Sequence, residues 1–267
     1  MLLVIDVGNT QTVVGVYEGA DLRYRWRFGT AKTETGDELR LRLHHLLDFE
    51  GVSPAQLSGV CLSSVVPDLT VAWDEALQYM LGRPPVVCSA AAAGELFVPD
   101  YPNPAEIGAD RVADSVAAKA LYGAPVVVVD FGTATNICVI DEAGRFVGGV
   151  IAPGLETSAS ALFSRATKLG AIDLEDPHTA IGRNTAQAMQ EGIVVGEAER
   201  VDGLVRRIFE QLGYEAPVVA TGGHSSRMAP LTKVVTEVNP DLTLEGLRLV
   251  YEAQEGADQS AGAEADA

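Results

Sequence analysis

Leu2-Leu3-Val4-Ile5 is an unbroken apolar run that stops at Asp6. A short run of this kind, closed by polar and glycine residues, predicts a buried strand. After Thr10 comes Thr12-Val13-Val14-Gly15-Val16-Tyr17, then the turn Glu18-Gly19-Ala20-Asp21, then Leu22 to Phe28. That reads as strand, hairpin, strand. The scheme recurs after Val126-Val127-Val128-Val129. Asn136 to Ile140, the turn Asp141-Glu142-Ala143-Gly144 and Phe146 to Ile151 follow in the same order. Two such units predict an internal duplication.

Helices follow each unit. Thr35-Gly36-Asp37-Glu38 has the spacing of a capping box, with Leu39, Leu43, Leu46 and Leu47 falling on one face behind it. Val60 to Val66 reads as a strand closed by Pro67, residues 70–81 as a helix, and Pro85 to Cys88 as a strand. Residues 105–121 read as a helix with Val112, Val116 and Ala120 on one face. Residues 184–212 are helical in pattern with a break near Gly192 or Gly203. Val218-Val219-Ala220 is a strand entering Thr221-Gly222-Gly223, and Leu244 to Tyr251 a last helix. This alternation predicts an α/β fold with a mixed sheet in each of two lobes. The expected division is 1–122, 123–253 and a disordered tail over 254–267, which lacks an apolar period.

Composition narrows the functions. The 267 residues carry a formal charge of −18, which opposes a nucleic-acid surface or an anionic membrane as partner. Cys61, Cys88 and Cys138 are odd in number and sit in or beside apolar runs, so no disulfide framework is expected. No basic region precedes a long apolar segment at the N-terminus, and no run is long enough to span a bilayer. A reduced cytoplasmic protein is the expectation. His44, His45, His178 and His224 lack metal-ligand spacing, and Trp26 and Trp73 are expected in a core or an interface.

The chemistry lies where the apolar strands end. Asp6-Val7-Gly8-Asn9-Thr10 and Asp130-Phe131-Gly132-Thr133-Ala134-Thr135 both follow such strands. Glycine admits close approach of backbone N–H groups to an anion, a hydroxyl donates to phosphate oxygen, and a carboxylate attracts the phosphate's cation. One copy alone reads as a turn. Two copies opening matched hairpins point to a nucleotide held between lobes, since no P-loop or Rossmann glycine fingerprint is present. Thr221-Gly222-Gly223 reads either as a nucleotide-side turn or as an ordinary strand-to-helix turn.

The chain resembles type III pantothenate kinases, within the superfamily of acetate and sugar kinases, heat-shock chaperones and actin. The resemblance is carried by Leu3 to Thr10, Gly108-Ala109-Asp110-Arg111, Val129 to Thr135, Gly148 to Gly154, Ile181-Gly182-Arg183-Asn184-Thr185 and Ala220 to Gly223. It implies two ribonuclease H-like, actin-like lobes with ATP in the cleft between them. The implied reaction is ATP-dependent phosphorylation of the primary hydroxyl of pantothenate, the first step toward coenzyme A. The resemblance assigns Asp6, Val7, Gly8, Asn9, Thr10, Gln11, Thr12 and Val13 to the ATP phosphates, with Asp6 near Mg²⁺, and Thr133 to ATP. It assigns Tyr101, Gly108, Ala109, Asp110, Arg111 and Thr185 to pantothenate, with Asp110 as proton acceptor. Asp130 is implied to hold a monovalent cation, K⁺ or NH₄⁺, and the protein to be a homodimer.

Residue chemistry is compatible with these roles. A planar guanidinium such as that of Arg111 matches a carboxylate, which pantothenate carries. Without the resemblance, Asp110 reads as a favourable acidic residue in a helix first turn, and Tyr101 as a packed loop aromatic. The chain departs from the family pattern at Asn136, where a second Thr is usual, and at the polar stretch His224-Ser225-Ser226-Arg227. Two rivals remain open: a phosphotransferase or phosphohydrolase acting on a sugar, acetate or polyphosphate, and a non-catalytic nucleotide-gated regulator.

Overall fold

A computed structural model describes residues 1–165 and 171–265. It divides into two units: Met1–Ala120 together with Leu242–Ala267, and Leu121–Asp241.

The first unit opens with β1 (Leu2–Val7), β2 (Gln11–Glu18) and β3 (Asp21–Gly29), the expected antiparallel meander. Then come α1 (Gly36–Phe49), β4 (Gly59–Ser64), α2 (Pro67–Leu81), β5 (Val86–Val87), α3 (Ala90–Ala93), β6 (Val98–Pro99) and α4 (Ala109–Tyr122). The sheet order is β3-β2-β1-β4-β5, and β4 runs parallel to both β1 and β5. Period-two alternation puts Leu3, Ile5 and Val7 of β1 on one face, with Val14 and Val16 of β2. Leu39, Leu43 and Leu47 of α1 and Leu69, Trp73 and Leu77 of α2 pack against that face. Each such side chain contributes roughly 1.5–3 kcal/mol by leaving water. Trp73 is therefore core, and Trp26 stacks on Tyr24 at the edge of the same cluster.

Local signals explain the helix boundaries. The Thr35 hydroxyl accepts from the Glu38 amide, and the Glu38 carboxylate accepts from the Thr35 amide at 2.8 Å, completing the capping box. Pro67 does not merely close a strand. It is the first residue of α2, where its missing N–H costs nothing, so this helix starts earlier than residue 70. The helix expected from residue 105 starts at Ala109, after a separate 3₁₀ turn over Pro104–Glu106. It is buried nearly all round from Arg111 to Ala118, and Ala120, expected on the apolar face, is exposed.

The second unit contains β7 (Val126–Phe131), β8 (Ala134–Ile140), β9 (Arg145–Pro153), α5 (Leu155–Arg165), α6 (Thr185–Gln190), α7 (Gly196–Leu212), β10 (Val218–Thr221), α8 (Ser225–Met228) and β11 (Glu237–Val238). Its strands run β11-β10-β7-β8-β9, with β7 antiparallel to β8 and parallel to β10. Order and sense repeat those of the first unit, so the duplication seen in the hairpins extends to the sheets. Val127, Val129 and Phe131 of β7 form the core with Ile137, Val139, Ala198, Val201 and Val205. Near Gly192 the helix does not break but widens into a π-helical turn over Glu191–Val195.

The end of the chain corrects two expectations. α9 (Leu242–Ala265) belongs to the first unit, so the second lobe does not run to residue 253. Leu244, Leu247 and Val250 are buried there, and α9 lies on β1, β2 and β4. The segment expected to be disordered from residue 254 continues the helix to Ala265; residues 266–267 lie outside the described residues. Its Ala, Glu and Gln residues are strong helix formers, which an apolar-period criterion does not register.

Candidate active site

Asp6 is the penultimate residue of β1, opposite Val13 of β2 and Ser63 of β4. Register partners project to the same face, so this carboxylate sits between a valine and a hydroxyl at the strand end. Burial, then the negative charge of Asp110, pushes its carboxyl up to about 7, with the Ser63 hydroxyl acting in the opposite direction. The first phosphate motif and the Gly108-Ala109-Asp110-Arg111 segment therefore meet within one unit.

Asp110 lies in the first turn of α4, and its Oδ1 accepts from the Arg111 amide at 2.8 Å. A Cβ on Gly108 would stand 2.5 Å from that oxygen. Glycine is thus required for the carboxylate to fold back on the helix end. Burial raises the Asp110 carboxyl above its ordinary range, while the Arg111 amide and guanidinium oppose the shift. Arg111 itself is buried. Tyr101 is half-buried in the loop that precedes the 3₁₀ turn.

The turn from β1 to β2 closes with the Gly8 amide donating to the Gln11 carbonyl at 3.0 Å. Asn9, Thr10 and Gln11 are exposed along it. Other members of the expected ATP segment are placed differently. Val7 is a core residue with no side-chain exposure to offer. Thr12 is buried, and its hydroxyl lies 2.9 Å from that of Thr30. The Thr30 amide donates to the Thr10 carbonyl at 2.9 Å. Thr12 and Thr30 thus brace the turn from behind.

Asp130 occupies the corresponding position on β7, opposite Asn136 of β8 and Thr221 of β10. The Gly132 amide donates to the Ala134 carbonyl at 3.0 Å, the counterpart of the Gly8 turn. Thr133 is exposed at its tip. Gly222, at φ 89°, lies so close that a Cβ there would overlap Asp130 Oδ1 and the Phe131 carbonyl. The Thr221 hydroxyl is buried and has no hydrogen-bond partner among the described residues. A carboxylate, an unpartnered hydroxyl and a side-chain-free glycine form a cradle of oxygen donors that could hold a cation. The Thr221-Gly222-Gly223 turn is held by the His224 amide donating to the Phe131 carbonyl at 3.1 Å. Asn136, the departure next to this motif, is buried beside Asp130. Thr185 is the exposed first residue of α6, whose N-cap Asn184 accepts from the Gln187 amide at 2.9 Å.

Sequence reasoning missed several neighbours. Cys88 follows β5, and its thiol is raised well above its ordinary range by burial, then by Cys61 and the carboxylates of Asp6, Asp110 and Asp114. It therefore stays protonated beside the acidic pair. Asp114, one turn after Asp110, is buried and accepts from the Thr243 hydroxyl of α9 at 2.7 Å. Spacing of four from Asp110 was the available signal for Asp114. Nothing in the sequence announces Cys88. Among the described residues no group of His, Cys, Asp and Glu could hold a metal by protein ligands alone.

A family model described as type III pantothenate kinase matches residues 2–207. A type III pantothenate kinase of Thermomicrobium roseum is 47% identical over 253 residues, covering 94% of this chain and 97% of its own. One from Moorella thermoacetica is 43% identical over 252 residues, covering 94% and 99%. Among solved structures, the activator of the 2-hydroxyisocaproyl-CoA dehydratase from Clostridium difficile with bound ADPNP superposes with a TM-score of 0.60 at 14% identity, covering 97% of each chain. The ROK hexokinase of Thermus thermophilus gives 0.50 at 14% identity, covering 95% of this chain and 99% of its own. At such identity these likenesses concern the fold, and they agree with the two-lobed, actin-like α/β architecture expected from the sequence. By the extent of the family match and the identity to its relatives over nearly the whole chain, the protein belongs to the type III pantothenate kinase family.

Proposed function

We propose that this protein transfers the γ-phosphoryl group of Mg-ATP to the primary hydroxyl of pantothenate, with Asp110 accepting the proton. The observation that carries the reading is the meeting of Asp6 and Asp110, one from a phosphate motif and one from a helix first turn. Phosphoryl transfer passes through a loose transition state, so the protein's work is positioning and charge neutralisation. The exposed turn Asn9 to Gln11, closed by the Gly8 amide, presents its backbone and the Thr10 side chain to phosphate oxygens. Asp6 would hold the Mg²⁺ that accompanies the nucleotide, a cation that would neutralise phosphate charge. Arg111 takes the carboxylate of pantothenate, with Tyr101 and Thr185 as further contacts.

In the step itself, the pantothenate hydroxyl oxygen forms a bond to the γ-phosphorus as the bond to ADP breaks. The hydroxyl proton passes to a carboxylate oxygen of Asp110. The raised proton affinity of Asp110, caused by burial, suits a late acceptor. Thr133 contacts ATP from the second motif. Asp130 and Thr221 would hold a monovalent cation, which supplies positive charge next to the phosphates. A homodimer in the cytoplasm completes the reading; no described helix is long and apolar enough to cross a membrane.

The deciding experiment is release of ADP from Mg-ATP with and without pantothenate. ADP formation that needs pantothenate and is matched by phosphopantothenate supports the proposal. ADP formation driven instead by a sugar, acetate or polyphosphate would overturn it.

A further inference from the structure

Glu197 is a charged residue buried to 2% exposure in the second unit, and no role above uses it. Its Oε1 accepts from the Thr135 hydroxyl, and its Oε2 pairs with the Arg200 guanidinium. The same guanidinium donates to the Pro153 carbonyl at 2.5 Å. These four residues come from the start of β8, the end of β9 and one turn of α7. Ala134 and Pro153 are register partners, so the network grips β8 where it leaves the Thr133 turn and the end of β9 beside it.

The other side of that turn is also held. The Thr133 carbonyl accepts from the Gly154 amide at 3.1 Å and from the Thr157 hydroxyl at 2.6 Å. A side chain on Gly154 would overlap the Gly132 carbonyl, so the strand end presses directly on the turn. Thr133 therefore projects from a loop fixed at its carbonyl on one flank and at Thr135 on the other.

We infer that Glu197, with Arg200 and Thr135, is a positioning element that sets the Thr133 turn for nucleotide phosphates. The π-helical turn Glu191–Val195 immediately precedes α7. An extra residue in a helical turn rotates everything after it. Within α7 itself, Glu197 lies on the inward stripe with Ala198, Val201, Asp202 and Val205. The pair is buried only on the Glu197 side, so it adds little stability, and its use here is to fix geometry. The inference rests on the reading that the Thr133 turn contacts ATP.

The test uses the full chain with Thr135→Val and Glu197→Gln, with Thr135→Ser as the conservative control. Steady-state constants for both substrates, calorimetric binding of a non-hydrolysable ATP analogue, and Tm are measured together. The expected result is a rise of about tenfold or more in KM for ATP and in Kd for the analogue in the first two variants. KM for pantothenate should stay within about twofold, and Thr135→Ser should restore ATP affinity. Unchanged ATP constants would overturn the inference, as would equal loss for both substrates in step with lowered Tm. If the wild type failed to bind the analogue, the nucleotide reading and this inference would fall together. Wild-type binding with unaffected variants removes this inference alone.

Discussion

Asp6 and Asp110 stand close enough that the charge of Asp110 raises the proton affinity of Asp6. One lies on β1 and the other on α4, with most of the first unit's sequence between them. Two half-buried carboxylates held near each other are costly without a cation, and a kinase brings one in with each nucleotide.

Asp110→Asn would remove the proposed proton acceptor without changing shape. Turnover should fall by about 10²- to 10⁴-fold, while Tm and ATP-analogue binding remain near wild type. Steady-state kinetics beside calorimetry checks this, and near-wild-type kcat would remove Asp110 from its role.

Asp6 gives the apo protein a pH-dependent stability. Its carboxyl stands at about 7 when folded against 3.8 as a free side chain. Between those values the folded state binds the extra proton, so stability falls as pH rises from about 4 to about 7, then levels off. The difference is on the order of a few kcal/mol. In EDTA and without nucleotide, Asp6→Asn should flatten this part of the Tm–pH curve and raise Tm at pH 8. Identical slopes in the two proteins would contradict the assignment.

The cradle at Asp130 predicts cation selectivity. Replacing K⁺ by Na⁺ should raise KM for ATP several-fold in the wild type. Gly222→Ala forces a methyl group onto Asp130 and the Phe131 carbonyl, at a backbone φ that alanine rarely adopts. That variant should bind ATP weakly and respond equally to both salts. A persistent K⁺ preference in Gly222→Ala would count against the cradle.

α9 should support the first unit specifically. Leu247 is fully buried, and Leu247→Ala should cost roughly 2–5 kcal/mol. The chain has two tryptophans, Trp26 and Trp73, both in the first unit. Their fluorescence therefore reports this loss directly during thermal unfolding. An unchanged transition would mean that the helix is dispensable.

Legibility in the sequence followed the strength of local signals. Both hairpins, the capping box at Thr35–Glu38 and the paired Asp-Gly motifs were visible because each rests on a short-range pattern. The early start of α2 was hidden because Pro67 serves equally to stop a strand or open a helix. β11, two residues long, is too short to show alternation. Glu197 and Arg200 look like an ordinary exposed helix pair in sequence. Glu197 lies four residues before Val201 on the buried stripe of α7, but no local pattern says that its carboxylate has partners on β8 and α7. Thr12 follows the turn from β1 to β2, and its hydroxyl is engaged with that of Thr30, which spacing could not reveal.

α9 also orders events during synthesis. Chains emerge from the ribosome N-terminus first, and domains generally fold as units in that order. Here the second unit is contiguous, whereas the first receives its closing helix only after residue 241 has been made. The half of the protein translated first is thus the half completed last. Until then Gly15 and its neighbours on β1, β2 and β4 lack their cover, leaving a greasy sheet face open to chaperones or to mispairing with other nascent chains.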